Sequence, residues 1–420
     1  MVQNKRPRSL SNRVCKLRLR MPSSGKRSRS RDCQTSQSAS SPETLLVSEG
    51  SSSGRSGATA TDEIIHFDWH RGMYLGEFRR YEVRRLLGDG TFGRVLECID
   101  HNRHSRVGVK VIRDVDRYIL NAKIEARILQ KLNEIRRLND HPGGRGIVRL
   151  YDTFTHVGRF FCLSFEKLGK TLLEVIQMNN HMPFYVFDIQ VIMREVLEVM
   201  DFLHARCELI HTDIKLENIM LTGFDFLQTR PPPRVGSDRC SFRRPLLVSE
   251  QTRGAHRSLR LIDFGNGVFR GDHHSSLVNT RQYRSPEVIL EEGWDSKSDM
   301  WSVGCVLGEL YTGELVFPTH SNIEHLAMIE KVVEERIHCT HSKNDKYFSA
   351  GRLIWPNGCE SSDSLRAVEE AIPLAKTFRK DPQLYSVAER LLRIDPTRRY
   401  SASRALANCS FFRKIVPINE

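Results

Sequence analysis

The stretch Ile210-His211-Thr212-Asp213-Ile214-Lys215-Leu216-Glu217-Asn218-Ile219-Met220 sets a carboxylate, an ammonium and an amide in one short loop. Apolar anchors bracket it, Leu209-Ile210 before and Ile219-Met220-Leu221 after. At this spacing Asp213 can orient a hydroxyl and accept its proton, Lys215 can neutralise a phosphoryl group in flight, and Asn218 can face a metal ion across the loop. Polar runs of this kind are common in loops, so the triplet alone is weak. Further on, Leu261-Ile262-Asp263-Phe264-Gly265 reads as a buried strand ending in a second acidic turn, and Asp263 is a further metal candidate. Together the two segments point to phosphoryl transfer onto a hydroxyl.

A phosphate donor needs a cradle, and Gly88-Asp89-Gly90-Thr91-Phe92-Gly93 offers one. A G-x-G-x-x-G is compatible with a dinucleotide-binding turn or with a lid over a triphosphate. A strand pattern, Arg94-Val95-Leu96-Glu97-Cys98-Ile99, follows it here instead of a helix, which argues against the dinucleotide case. Glycines let the backbone close over phosphates with no Cβ in the way, and Val95 would cover the base. Val107-Gly108-Val109-Lys110-Val111-Ile112 is an apolar strand with one lysine, whose apolar flanks suggest that Lys110 is directed into a site. From Tyr118 to Leu138 helical spacing puts Ile124, Ile128, Leu132 and Ile135 on one stripe. Glu125 and Glu134 both lie on that helix, and spacing alone leaves open which of them would pair with Lys110. Two strands between Ile147 and Phe165 lead to Phe165-Glu166-Lys167-Leu168-Gly169, a linker whose backbone could offer a carbonyl and an amide to an adenine, with Phe165 narrowing the pocket behind.

The elements around these residues fit a chain of 420 residues, enough for one large two-lobed catalytic domain or two smaller domains, plus tails. The formal net charge of +13 has a location. It concentrates in the first forty or so residues, within a Ser-, Arg-, Lys- and Gly-rich stretch, 1–61, that has too little apolar surface to offset the entropy of ordering. Within it, Lys26-Arg27-Ser28-Arg29-Ser30-Arg31 reads as a nuclear address or a weak nucleic-acid contact, against the plainer reading of a solvated tail. The ten cysteines show no C-x-x-C, so free thiols in a reducing compartment are expected. No apolar run approaches the roughly 18 residues of a membrane span, and no apolar region follows the N-terminal basic residues as a secretory signal would require. Residues 222–256, with Pro231-Pro232-Pro233 and several arginines, read as an exposed, mobile insert. Glu287 and Arg399 are expected to form a buried ion pair tying the segment after Asp263 to the base of the domain.

In order and at spacing, these motifs from about Tyr81 to Phe412 resemble the eukaryotic-type protein kinases. Finer features resemble the CDC2-like, or LAMMER, dual-specificity kinases: Glu324-His325-Leu326-Ala327-Met328-Ile329-Glu330, His211-Thr212-Asp213 with Thr in the usual Arg place, Val278-Asn279-Thr280-Arg281-Gln282-Tyr283-Arg284-Ser285-Pro286-Glu287, Phe317-Pro318-Thr319-His320 and Glu97-Cys98-Ile99-Asp100-His101. Val115-Asp116-Arg117-Tyr118 also matches, and its register favours Glu125 over Glu134. The 324–330 stretch reads as an amphipathic, structural helix. Leu216, Ile214, Ser285 and Gly108 stand where the family has Pro, Leu, Ala and Ala; none removes a catalytic group.

The resemblance implies an α+β bilobal protein kinase fold: lead-in 62–80, strand-rich lobe 81–166, helical lobe 167–413 and tail 414–420. It implies ATP with Mg²⁺ or Mn²⁺, Lys110 on the α and β phosphates, and a monomeric catalytic domain off the membrane. It further implies Ser/Thr phosphorylation, with tyrosine autophosphorylation, of Arg/Ser-rich or basic proteins in the nucleus or also the cytoplasm, in splicing or at kinetochores. Ser28 and Ser30 would then be acceptors in cis. A pseudokinase scaffold normally lacks one of Lys110, Asp213 and Asp263, and all three are present. An RNA-binding protein would need aromatics interleaved with its basic run, and the tail has none there.

Overall fold

Six antiparallel strands in the order β1-β2-β3-β4-β6-β5 make the sheet of the first lobe. They are β1 (Tyr74–Leu75), β2 (Tyr81–Asp89), β3 (Gly93–Asp100), β4 (Ser105–Ile112), β5 (Leu150–His156) and β6 (Phe160–Glu166). The structure, a computed structural model, describes residues 67–235, 241–247, 258–273, 275–338, 346–359 and 361–413. The basic tail with Ser28 and Ser30, the start of the lead-in and residues 414–420 lie outside the described residues.

Period-two alternation explains the sheet. Val107, Val109 and Val111 of β4 join Val83, Leu96, Cys98 and Cys162 in one apolar cluster, so Lys110 falls on the other face. The lead-in belongs to the same lobe. Phe67 is buried edge-on against Phe160, and β1 pairs with the start of β2.

Helix α1 (Asp116–Leu138) crosses below the sheet. Its buried residues are Ala122, Glu125, Ala126, Ile128, Leu129 and Leu132, whereas Ile124 is 36% exposed. The expected stripe is therefore rotated. Ile124 leaves the core and Glu125 enters it, because Ala122, Ala126 and Leu129 give a closer-packing face than a line drawn through the isoleucines.

The second lobe is mainly helical. After α2 (Leu172–Met178) and α3 (Val186–Asp201), a π turn over Phe202–Arg206 delivers the chain to β7 (Leu209–Ile210). The catalytic loop follows, and then β8 (Ile219–Leu221). The insert contributes β9 (Phe226–Thr229) and β10 (Phe242–Pro245), and β11 (Leu259–Leu261) returns against β8. β12 (Val268–Phe269) pairs with β7, so both strand pairs brace the loop they flank.

The described part of the insert is exposed at Phe224, Leu227 and Leu246, but elsewhere it is docked on the body of the lobe. Phe242 is fully buried, Arg244 makes a two-bonded pair with buried Asp188 at 2.8 and 2.7 Å, and Arg243 exchanges backbone bonds with the Asn179 side chain. Two arginines that suggested solvent exposure bond inward here, Arg244 to Asp188 in the first turn of α3 and Arg234 to the Phe184 and Tyr311 carbonyls.

Helices α4 (Pro286–Ile289), α5 (Lys297–Thr312) and α6 (Asn322–Val333) complete the part that positions the site. Ser321 and Glu324 form a capping box at the start of α6, so this Glu holds a helix end. The helix is not amphipathic as expected: every residue from Ile323 to Ile329 is buried. His325 lies against Phe317, its pKa pushed down to about 3 by burial and by Arg284 and Arg281. Among the described residues no helix is long and apolar enough to cross a membrane, and the six cysteines there are free thiols.

Candidate active site

The loop between β7 and β8 holds a conformation that it would not adopt alone. Thr212 has φ +67° and Asp263, on the facing turn, φ +62°. Left-handed backbone is unfavourable for any residue with a Cβ and most of all for a β-branched one. Asp299, buried in the first turn of α5, supplies the compensation. Its carboxylate accepts the backbone N–H groups of His211 and Thr212, both at 2.8 Å, and meets His204 Nε2 at 2.9 Å. Burial pushes the Asp299 pKa up, but the bond from His204 and the His204 and His211 rings outweigh it, and the group stays below the usual carboxylate range. His211 Nε2 faces the Ile262 carbonyl at 3.0 Å, which leaves Nδ1 to accept from Asp213 N–H at 3.3 Å. The ring thereby ties the loop to the chain just before Asp263.

Asp213, Lys215 and Asn218 converge as expected. Asp213 Oδ2 lies 2.9 Å from Lys215 Nζ and accepts from Asn218 Nδ2 at 3.2 Å. Asp213 Oδ1 accepts from the Thr280 hydroxyl at 2.6 Å, and Lys215 donates to the same hydroxyl at 2.9 Å. Burial works against the charge on Asp213, but Lys215 and the Thr280 bond prevail and the pKa is lowered. The carboxylate is thus held ionised beside a cation, as a group that orients a hydroxyl needs to be.

Asn218 also gives its N–H to the Asp213 carbonyl at 2.8 Å, so its amide oxygen is free to meet a cation. Asp263 adds a half-buried carboxylate on the facing turn. Two oxygen donors suit a small hard cation that takes its remaining ligands from water and phosphate. Among the described residues no cluster of three or more His, Cys, Asp or Glu could hold a metal without such help. The residues fit a cation carried in with a nucleotide.

Lys110 and Glu125 meet at 2.8 Å. Burial would lower the lysine pKa, but the Glu125 and Asp263 carboxylates hold it above the ordinary value, which places Asp263 in the field of Lys110. Glu134 is exposed, and the ambiguity left by spacing is resolved for Glu125. Over the cleft the loop from Gly88 to Gly93 is exposed at Thr91 and Phe92, with Phe92 edge-on to Tyr118. A Cβ on Gly93 would sit 2.2 Å from the Val111 carbonyl, so only glycine fits where the loop rejoins the sheet. Asp89 pairs with Arg94 at 3.0 Å and Arg113 at 3.7 Å, and Arg113 also bonds the Gly90 carbonyl, so Asp89 holds the loop down. Val95 registers opposite Lys110, and Phe165 opposite Gly108.

In the linker, the Glu166 side chain has a role that the backbone reading did not address. Its side chain accepts from Arg260 at 2.9 Å and from the Arg149 amide at 2.8 Å, and its own N–H bonds the Arg149 carbonyl. The amide of Leu168 has no protein partner among the described residues, and Leu168 is thereby the donor left for a base.

Several site residues escaped sequence reasoning. Thr280 stood within a quoted motif, but only the fold shows it bridging Asp213 and Lys215. Asp299 opened a quoted helix with no signal of its contact with the loop. Glu287 and Arg399 do pair, bidentate at 2.6 and 2.9 Å, with Arg399 wholly buried.

Residues 81–412 match the family described as the protein kinase domain. The chain is 34% identical to dual specificity protein kinase CLK2 of Homo sapiens, over 86% of this chain and 69% of that one. It is 36% identical to serine/threonine-protein kinase AFC2 of Arabidopsis thaliana, over 83% of this chain and 81% of that one. Among solved structures, a crystal structure of a kinase domain superposes with TM-score 0.72 at 38% identity, covering 84% of this chain and all of that one.

Proposed function

The chain belongs to the protein kinase family, among relatives of the CLK and AFC type, and from that premise we propose that it phosphorylates serine and threonine in arginine-rich proteins of the nucleus, using Mg²⁺ and ATP. One observation carries the catalytic part. Asp213, ionised and oriented by Lys215, Thr280 and Asn218, shares a cleft with the Lys110–Glu125 pair and Asp263.

The residue roles follow from that arrangement. Lys110, fixed by Glu125, binds the α and β phosphates. Asp213 orients the acceptor hydroxyl and takes its proton, while Lys215 screens the transferred group. Asn218 and Asp263 would hold a divalent cation, which would supply positive charge to offset that developing on the transferred phosphoryl group. The Leu168 amide would receive the base, and Val95 and Phe165 would line that part of the cleft.

The preference for basic substrates has its own support. Glu309 of α5 is buried with its pKa pushed up to about 7, by burial against the favourable Tyr283 bond at 2.5 Å and with Glu217 adding repulsion. Glu217, in the catalytic loop, has a buried carboxylate oxygen with no hydrogen-bond partner. Glu309 is out of reach of a substrate, but the unpartnered oxygen of Glu217, in the catalytic loop, favours a guanidinium from the substrate. The nuclear part is supported by the Lys26–Arg31 run. Glu217→Gln tested on Arg/Ser peptides and on peptides with citrulline for arginine decides the substrate class. KM should rise by about tenfold on the arginine peptides with kcat kept, and an equal effect on both peptide sets would sink the assignment.

A further inference from the structure

Behind the linker, the Glu166 side chain is the centre of a group of arginines that catalysis does not use. Arg260 on β11 pairs with it at 2.9 Å, and Arg149, just ahead of β5, bonds it through the main chain at 2.8 Å. Arg136 and Arg137, in the last turn of α1, complete the group. Arg136 is half-buried, and its pKa is lowered by burial first and then by Arg149, Arg260 and Arg137, with only Glu166 opposing among these. None of Arg136, Arg137 and Arg149 is in an ion pair among the described residues. Asn133, one turn before Arg136, donates to the Leu150 carbonyl at 3.1 Å and so sets the end of α1 against the chain at Arg149, and the charges of Arg136, Arg149 and Arg260 gather around one carboxylate that Arg260 already engages. Packing like charges this way costs stability, and a dianion placed among them would recover it.

We propose that Arg136, Arg149 and Arg260 form a second, non-catalytic binding site, for a phosphoserine or phosphothreonine of a protein that the enzyme has already modified. The proposal rests on the protein kinase reading, which supplies the phosphorylated class of ligand. Planar guanidinium forks match a phosphate monoester in geometry as well as charge. Leu138, 90% exposed beside Arg137, offers an apolar contact to a residue flanking the phosphate. The cluster is a point, not a track. The exposed aromatic rings of the described residues, Phe78, Phe92 and Phe224, lie in other segments, so bases would find nothing to stack on. A substrate with several acceptor serines would be retained by its first phosphate while later serines reach Asp213, which favours successive modification of one molecule over release.

Fluorescence anisotropy tests it on the full chain. The probes are a labelled peptide with one phosphoserine followed by leucine, its unphosphorylated twin, and a single-stranded RNA oligomer. The proteins are the parent, Arg149→Gln and Arg136→Gln, and turnover of a short unphosphorylated Arg/Ser peptide is measured alongside. The phosphopeptide should bind at least about tenfold tighter than its twin, each substitution should remove most of that difference, and turnover should stay within about twofold. Equal binding of the twins, or phosphopeptide binding untouched by both substitutions, overturns the site. Substitutions that weaken RNA binding and spare the phosphopeptide overturn it in favour of a nucleic-acid contact. Absent turnover with intact phosphopeptide binding would count against the kinase reading and leave this site standing.

Discussion

The Thr212 hydroxyl donates to the Asn266 carbonyl, 2.9 Å away, which fastens the catalytic loop directly to the chain just past Asp263. The side chain at this place is neutral, so it cannot make a charge-assisted pair with a phosphorylated segment. Arg284 holds the far end of that segment by bonding the Val278 and Asn279 carbonyls at 2.9 and 3.0 Å. Dephosphorylated enzyme should therefore keep its kcat within about threefold, less than ~1 kcal/mol in the barrier. Activity abolished by phosphatase and restored only by phosphorylation within residues 266–283 would refute this.

Asp213→Asn should lower kcat by about 100-fold or more while KM for ATP and the melting temperature barely change. The amide keeps the volume but cannot take a proton, and it sets an N–H against Lys215 or Thr280. Retention of more than about a tenth of the activity, a loss under ~1.4 kcal/mol, would contradict the role. Lys110→Arg should inactivate as well, because a planar fork does not replace a compact ammonium between Glu125 and phosphate.

Gly108→Ala should be tolerated and should lower KM for ATP. A Cβ there would have Val95 Cγ1 as its nearest neighbour at 3.8 Å, an ordinary contact. One added buried methyl is worth about 0.8 kcal/mol, roughly fourfold in affinity. Nucleotide titration of the variant settles it, and a raised KM would show that the methyl has no room once the base is bound.

Arg399→Met should destabilise the domain by about 3–5 kcal/mol, since it leaves Glu287 buried and uncompensated. Adding Glu287→Met should recover only part of that loss. Arg399 also donates to the Arg393, Ile394 and Lys297 carbonyls, which stay without it in either variant. Denaturant midpoints of the single and double variants measure the split, and full recovery in the double variant would mean the carbonyl bonds contribute nothing.

Legibility from sequence followed locality. The catalytic loop, the turn at Asp263 and the strand bearing Lys110 each keep their chemistry within a few residues and could be read directly. The face of α1 could not, because which stripe is buried depends on the sheet above it. Ile124 is exposed although it is apolar, and Glu125 is buried although it is charged. The side-chain partner of Glu166 could not be read either, because Arg260 lies far along the chain. Asp299 braces His211 and Thr212 across nearly ninety residues of sequence, a relationship that no local pattern encodes.

The docked insert changes what a break in the chain would do. β9 and β10 pair with each other, and Arg244 and Phe242 are locked to α3 and its surroundings on the far side of residues 236–240. A single protease cut between Val235 and Ser241 would separate Asp213 from Asp263 covalently, yet each fragment would keep its half of a built interface. The nicked enzyme should migrate as one species under native conditions, as two under denaturing ones, and still turn over substrate. Two separately expressed halves divided at that point should likewise reassemble into a working enzyme, which makes this hairpin the natural seam for a split-kinase reporter.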